Sequence, residues 1–366
     1  MRGTRLEVDL NALTGNLEKI QTKLNKDIKT IAIVKADSYG LGAVQVAHHI
    51  KDKVWGFGAA TIEEAVELRQ AGIKKPILML YPLLENEIQE IIRYEITPTV
   101  TDINRAKILE KELIKENKTI NIHIKIDTGM GRIGLAYDDC INEITDICEK
   151  KNLNVQGLYT HFPNADLLDQ EFCNEQVKRF DGFVSQLNEK GIKIPIKHMA
   201  NSSATVMYPA THKDAVRPGL LMYGTYPTAL IKENFKVDAV ATLKAKIIFI
   251  KNVKPGETVS YGRTFTAQRP TRAAVLGIGY ADGFSTRNSS KAFVYINNRF
   301  SPVLGRVCMD YTMIDITDIP EAGHGDDVVI FGKGGETADY YAEKIGIIPY
   351  ETLTTVTKRV PRMYIK

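Results

Sequence analysis

From residue 28 to about 224 the chain alternates short, β-branched apolar runs with longer stretches whose apolar residues recur at helical spacing. The runs fall at 28–36 (IKTIAIVKA), 53–60 (KVWGFGAA), 75–82 (KPILMLYP), 96–101 (ITPTVT), 120–128 (INIHIKIDT), 154–162 (NVQGLYTHF), 196–201 (IKHMAN) and 214–221 (DAVRPGLL). Intervening segments such as 62–72 (IEEAVELRQAG, stopped by Gly72) and 169–190 read as amphipathic helices. Strand alternating with helix implies parallel pairing, and eight such units predict an α/β chain with a closed (β/α)8 barrel of the TIM type. After about residue 235 the rhythm changes to strands at 240–251, 272–279, 292–296, 302–308, 312–316 and 327–331, a Lys-Pro-Gly turn at 254–256 and one helix at 337–345. The pattern therefore predicts a barrel domain over 1–234 and a C-terminal all-β domain over 235–366. The segment TRLEVD at 4–9 alternates like a strand, so residues 1–10 are expected to pair with the β-domain.

Composition narrows the classes of function. The 366 residues are 44% hydrophobic and 25% charged, ordinary values for a folded globular chain that argue against disorder, collagen and coiled coil. Lys and Arg number 48 against 44 Asp and Glu, and a net charge of +4 is too small and too dispersed for a nucleic-acid surface. Cys140, Cys148, Cys173 and Cys308 are too far apart for CxxC pairs, so reduced thiols and no metal site are expected. No run approaches about 18 apolar residues and no secretory h-region is present, which predicts a cytoplasmic protein or the cytoplasmic part of a longer membrane-bound one.

In such a barrel the active site lies at the C-terminal ends of the strands, where polar residues cluster here. Lys35 ends the first run, Asp127 and Arg132 follow the fifth, His161 ends the sixth, Asn201 and Ser202 end the seventh, and Arg217 and Gly219 lie in the eighth. A lysine at the mouth of an apolar barrel is partly desolvated, which favours the neutral amine that Schiff-base chemistry needs. Ser202 and Pro218-Gly219 offer a hydroxyl and free backbone N–H groups where barrels often bind phosphate. A reactive lysine opposite a phosphate cradle suggests pyridoxal phosphate. Taken singly, the lysine also fits a solvated strand end, and the serine and glycine an ordinary cap and loop.

The motifs Val34-Lys35-Ala36-Asp37 with Tyr39-Gly40-Leu41-Gly42, Lys125 to Gly134 (KIDTGMGRIG), Tyr159-Thr160-His161-Phe162, Ala200-Asn201-Ser202, Val216-Arg217-Pro218-Gly219, Ser260-Tyr261-Gly262, Gly305 to Asp310 (GRVCMD) and Arg359-Val360-Pro361-Arg362 form an ordered series that resembles the alanine racemases across the whole chain. The resemblance implies a pyridoxal 5'-phosphate enzyme of fold type III, a homodimer with shared active sites that interconverts L- and D-alanine and supplies D-alanine for peptidoglycan. Lys35 would carry the cofactor and act as one base, and Tyr261 from the other subunit as the second, on the opposite face of the substrate. Tyr39, Asn201, Ser202, Gly219, Leu220 and Tyr350 would hold the cofactor, with Arg217 at its pyridine nitrogen and His161 relaying between Arg217 and Tyr261. Arg132, together with the backbone N–H of Met309 from the other subunit, would bind the substrate carboxylate, Tyr280 and Tyr350 would narrow the entrance, and Lys125 would be carbamylated to orient Arg132.

The sequence departs from the family where Ser38-Tyr39-Gly40-Leu41-Gly42 stands for the usual Ala-Tyr-Gly-His-Gly. That departure also suits a racemase domain cut from a serine/alanine racemase of glycopeptide-resistant bacteria, although Tyr350 points to alanine. Fold-type III decarboxylases place a glutamate where Arg217 stands, and PLP-carrier proteins resemble the barrel alone, so neither matches as well. His48-His49 and Trp55 read as packing residues, Cys308 as a small buried thiol, and the glycosylation-like Asn288-Ser289-Ser290 as chance.

Overall fold

The computed structural model describes residues 3–138, 140–167 and 170–366. Eight parallel strands form a ring: β2 (Lys29–Ile33), β3 (Gly56–Ala59), β4 (Ile77–Pro82), β5 (Thr97–Val100), β6 (Ile120–Asp127), β8 (Leu153–Tyr159), β9 (Ile196–His198) and β10 (Ala215–Val216). A two-residue strand, β7 (Leu135–Ala136), lies on the edge of β6. The ring closes where β10 returns to β2, with Ala215 opposite Lys29 and Val216 opposite Thr30. Helices cover the outside, so strands such as β3 and β5 are buried along their whole length, which is why they read as continuous apolar runs. Each of the eight predicted runs holds one barrel strand. The eighth is short because Pro218 has no N–H to donate; its carbonyl still accepts from Ile33 N at 2.9 Å.

The second sheet is built on one long strand. β1 (Arg5–Asp9) pairs antiparallel with β11 (Ala241–Val253) and parallel with β19 (Arg362–Ile365). β11 also pairs with β14 (Thr271–Leu276) and β18 (Asp327–Phe331), and register shifts at Leu243/Lys244 and Ile247/Phe249 bend it so that it serves both sides. A short hairpin joins β12 (Thr258–Val259) to β13 (Phe265–Thr266), and β15 (Phe293–Ile296), β16 (Arg299–Pro302) and β17 (Thr312–Asp315) complete the layer.

Two expectations are corrected here. The strand expected at 302–308 is instead Arg299–Pro302. Asn297 and Asn298 both take positive φ (48° and 62°) in the tight turn that folds it onto Phe293–Ile296, and the chain from 304 to 308 is loop. A second helix, Pro349–Thr354, follows Ala338–Ile345 and opens with proline at its first position, where the missing N–H costs nothing.

The two halves share one apolar core that runs from Ile31 and Val216 to Leu243 and Ile314. Asp9 ends β1 and caps the helix Leu10–Gln21 by accepting from Ala12 N at 2.8 Å, so the chain passes from one sheet into the barrel wall without a linker. On that helix the fully buried Asn16 exchanges two hydrogen bonds with the Asp238 backbone, to O at 2.7 Å and from N at 2.8 Å. Gly224 closes the same junction at φ +72°, and a Cβ there would lie 2.0 Å from Asp238 O. Gly224→Ala is therefore expected to lower the unfolding free energy by more than about 1 kcal/mol, read as an earlier denaturant midpoint; a parent-like midpoint would show that the junction relaxes freely.

Candidate active site

β2 buries Ile31 and Ile33 and ends at Ile33, and the buried Val34 then places Lys35 at the barrel mouth. The backbone beyond Lys35 is unusual: Ala36, Asp37, Ser38 and Tyr39 all lie in the left-handed helical region, at φ 51°, 53°, 54° and 57°. Each L-residue there costs roughly 1–2 kcal/mol, so a run of four persists only if its surroundings impose it. The Glu64 carboxylate accepts from Ala36 N and Ala60 N, both at 2.7 Å, and Asp37 Oδ1 accepts from Ala43 N at 2.7 Å. The turn brings Lys35 and Tyr39 to the wall of one cavity of about 390 Å³.

Lys35, Lys125, Arg132 and Arg217 all line that cavity, and among the described residues no carboxylate does. Burial first, and then the Arg132 charge, lower the Lys35 amine below the ordinary lysine value, while Glu64 opposes them. Lys125 is pushed down to about 8 by burial, with Arg132 and Arg217 adding to it. Burial and the same cations hold His161 neutral. Asp127 stands outside this group. Burial alone would raise its carboxyl, but the N–H groups of Gly129 (2.9 Å), Gly131 (3.1 Å) and Arg132 (3.0 Å) outweigh that and set the loop that carries Arg132.

One end of the cavity is a small cradle. Gly219 N donates to Ser202 Oγ at 2.8 Å, and a Cβ at Gly219 would come within 2.7 Å of the Tyr39 hydroxyl. Leu220 begins the next turn beside them. Asn201 also lines the cavity, but its side-chain oxygen caps the helix Ser202–Met207 by accepting from Ala204 N at 3.0 Å. The Tyr39 ring packs against Tyr223 at 5.0 Å and Tyr350 at 6.1 Å. Burial pushes the Tyr350 phenol up to about 12, with Asp166 contributing, and raises the Tyr39 phenol as well, so both remain protonated donors.

Arg217 forms the floor. It is 4% exposed, and its guanidinium donates to Thr160 O (2.7 Å), Met199 O (2.8 Å), His198 Nδ1 (2.6 Å) and His161 Nδ1 (3.3 Å). Burial lowers it to about 10, so it stays charged at neutral pH. Since arginine only donates, His198 Nδ1 must accept; its Nε2–H then donates to His123 Nδ1 at 2.9 Å. Tyr159 stacks on His198 at 4.7 Å and bonds Thr99 Oγ1 at 2.8 Å. His123, His198, Tyr159 and Glu64 were missed as site-forming residues; the signal was a histidine set into each of the apolar runs IHI and KHM.

Three residues expected at the site lie elsewhere in this chain. Tyr261, Met309 and Tyr280 are 70%, 52% and 43% exposed, and none lines the cavity. The β-domain groups them: Tyr280 N donates to Cys308 O (3.0 Å), Ala281 N to Met309 O (3.1 Å), and Ser260 Oγ to Arg306 O (2.5 Å). Ser260, at φ 70° and ψ 178°, adopts a conformation nearly confined to glycine, immediately before Tyr261. Cys308 is half-buried in this loop rather than buried, with Sγ 3.6 Å from Ser260 Oγ. His48 and His49 bond Ala71 O (2.8 Å) and Thr14 Oγ1 (2.9 Å), Trp55 packs on the core, and Asn288 is fully buried.

Residues 8–227 match the family model of the alanine racemase N-terminal domain, and residues 240–364 that of the C-terminal domain. The chain is 42% identical to alanine racemase 1 of Clostridium acetobutylicum, covering 98% of this chain and 95% of that protein. Alanine racemase 1 of Caldanaerobacter subterraneus subsp. tengcongensis is 39% identical over 100% of this chain and 95% of its own length. Among solved structures, alanine racemase of Clostridium difficile 630 superposes with a TM-score of 0.96 at 35% identity, covering 100% of this chain and 96% of that one.

The floor makes a pH prediction. Burial, aided by Arg217, lowers His123 to about 4 in the folded chain, against roughly 6.5 unfolded. Its contribution to stability is thus complete above about pH 6.5 and declines towards pH 4, because the unfolded chain takes up a proton that the fold refuses. Denaturant titrations should show parent stability falling over that window more steeply than in His123→Gln; equal slopes would place the histidine in a wetter setting.

Proposed function

The chain belongs to the alanine racemase family and interconverts L- and D-alanine; we propose that Lys35 and Tyr261 carry the proton, and that different copies of the chain contribute them. Inversion requires a proton to leave Cα on one face and another to arrive on the opposite face. A single base returning its own proton preserves configuration. The observation that carries the reading is the division described above: the cavity holds a low-pKa lysine, whereas Tyr261 stands exposed on the β-domain with Met309 and Tyr280. A head-to-tail homodimer would bring the one to the other. In this reading residues 1–234 form the cofactor-binding domain and residues 235–366 complete the partner's site.

Alanine racemases depend on pyridoxal 5'-phosphate, and the residues present fit it. The hydroxyls of Tyr39 and Ser202 and the backbone of Gly219 and Leu220 would hold the phosphate, where even a methyl at Gly219 would intrude. Lys35, biased toward its neutral form, would hold the cofactor by condensing with its aldehyde, the amine's two protons leaving with the aldehyde oxygen as water. Bound there, the cofactor supplies an electron sink that acidifies the substrate's Cα–H. Arg217 offers only N–H donors, so a ring nitrogen held against it would stay unprotonated and the sink would be weak. A weak sink favours return of the proton to Cα over side reactions. Arg132 and the backbone of Met309 of the partner subunit would hold the substrate carboxylate, and His161, bonded to Arg217, would face Tyr261 of the partner subunit.

Tyr350 and Tyr280 of the partner subunit would narrow the entrance to the size of alanine. The relatives found are alanine racemases, and no feature of the cavity favours a serine-directed enzyme. Among the described residues no helix is long and apolar enough to cross a membrane, in keeping with a cytoplasmic site of action.

Mixing Lys35→Ala with Tyr261→Ala chains tests the shared site. Random exchange makes half the dimers hybrids, each with one intact site, so activity should reappear from two inactive proteins. Exchange without recovery would put both groups in one chain.

Lys125 is proposed to be carbamylated. Its amine attacks CO2, forming an N–C bond and releasing a proton, and the resulting carboxylate replaces a cation between Arg132 and Arg217 with an anion. Because the neutral amine reacts, occupancy should rise through about pH 8. 13C-labelled CO2 should give one carbamate resonance that Lys125→Ala abolishes; its persistence in that variant would move the modification to another lysine.

A further inference from the structure

Arg362 and Tyr364 lie at the opposite end of the sequence from Lys35, yet both bond the turn that carries it. Arg362 Nε donates to Gly40 O at 2.9 Å, the carbonyl that closes the left-handed run. Its Nη1 donates to Thr357 O and Val360 O, and its Nη2 to Val356 O, all at 2.6 Å. Tyr364 Oη donates to Leu41 O at 3.0 Å. The contact is close: a Cβ at Gly40 would lie 2.7 Å from Leu353 O, and one at Gly42 1.9 Å from the Tyr364 hydroxyl. β19 is itself anchored, with Leu6 opposite Arg362 and Val8 opposite Tyr364 in the parallel pairing to β1.

We propose that Arg362 and Tyr364 are positioning residues for the reaction: they clamp the exit of the left-handed turn and so set where Lys35 and Tyr39 point. The proposal rests on the reading of Lys35 as the cofactor-bearing lysine. Glu64 holds the entry of the turn through Ala36 N, but Gly40 and Leu41 take their side-chain bonds from the C-terminal strand. Arg362 also joins two segments of one site. Val356 and Thr357 lie just past Thr355, the C-cap of the helix Pro349–Thr354, which presents Tyr350 to the same cavity. One guanidinium thus spaces the Lys35 turn from the Tyr350 helix. Only a planar group with several fixed N–H donors reaches all four carbonyls; a lysine keeps the charge and loses the span.

The test uses the full-length protein with Arg362→Lys, Tyr364→Phe and the double variant Arg362→Lys with Ala36→Gly. Thermal unfolding, absorbance titration of the cofactor-free protein with pyridoxal 5'-phosphate, and kcat and KM are measured on each. For Arg362→Lys, kcat and cofactor affinity should each fall about tenfold while KM for alanine changes less than about twofold, the signature of a displaced reacting group. Tyr364→Phe should show the same split more weakly, and it removes a single hydroxyl, so it remains informative if Arg362→Lys folds poorly. Ala36 is exposed, and glycine adopts positive φ without strain, so the double variant should recover part of the lost affinity and kcat. Parent-like affinity and kcat in both single variants, or losses that track the unfolded fraction with no recovery through Ala36→Gly, would overturn the clamp. Borohydride reduction and peptide mapping of the parent protein decide the prior reading separately: a label on a residue other than Lys35 defeats that assignment, whereas a label on Lys35 with unaffected variants defeats only the clamp.

Discussion

Positive charge crowded into one half-buried cavity is the constraint on which the rest of the site depends. Lys35, Lys125, Arg132 and Arg217 share one cavity. Two like charges about 4 Å apart at an effective dielectric of 20 repel by roughly 4 kcal/mol, so such a group lasts only if some members shed their protons or an anion joins them. Arginine does not shed its proton at neutral pH, so it is the two lysine amines that are lowered, by burial first and by the neighbouring cations second. In the proposed mechanism that lowering favours the neutral amine, a nucleophile toward an aldehyde at Lys35 and toward CO2 at Lys125. The proposal leaves the remaining cations and the cradle at Ser202 and Gly219 to bind phosphate and carboxylate.

Holding that arrangement takes two kinds of support. The floor is a rigid donor chain, from Arg217 through His198 to His123, in which each hydrogen bond fixes the direction of the next. The rim is a strained turn held from both ends by residues remote in sequence, Glu64 on one side and Arg362 with Tyr364 on the other. Strain of this kind persists where the surroundings over-determine it. It recurs at Ser260, next to the tyrosine that the proposed mechanism places on the opposite side of the substrate.

Much of this was legible in the chain. The eight apolar runs carry the period of buried parallel strands, and the polar residues that end them mark the barrel mouth because that end of the fold is where side chains leave the core. Lys35, His161, Ser202 and Arg217 were therefore readable by position as cavity residues, and the family resemblance added Tyr350, whereas Tyr261 and Met309, which it also named, lie outside this chain's cavity. The strand expected at 302–308 was misplaced because Asn297-Asn298 is a weaker turn signal than a glycine-containing pair. The helix carrying Tyr350 is a single short segment with little periodicity to detect.

The sequence by itself determined the barrel, the change to β structure near residue 235 and the polar residue types at the strand ends, because periodicity and residue chemistry are local properties. Tertiary structure alone decided the left-handed path of Ala36 to Tyr39, since no residue among the four is glycine and the conformation is imposed by Glu64 and other distant groups. It also decided the pairing of His123 with His198, the lowering of the two lysines, and the exposure of Tyr261. Each depends on burial or on a partner far along the chain, and the free energy of a charge or a strained backbone is set by what surrounds it.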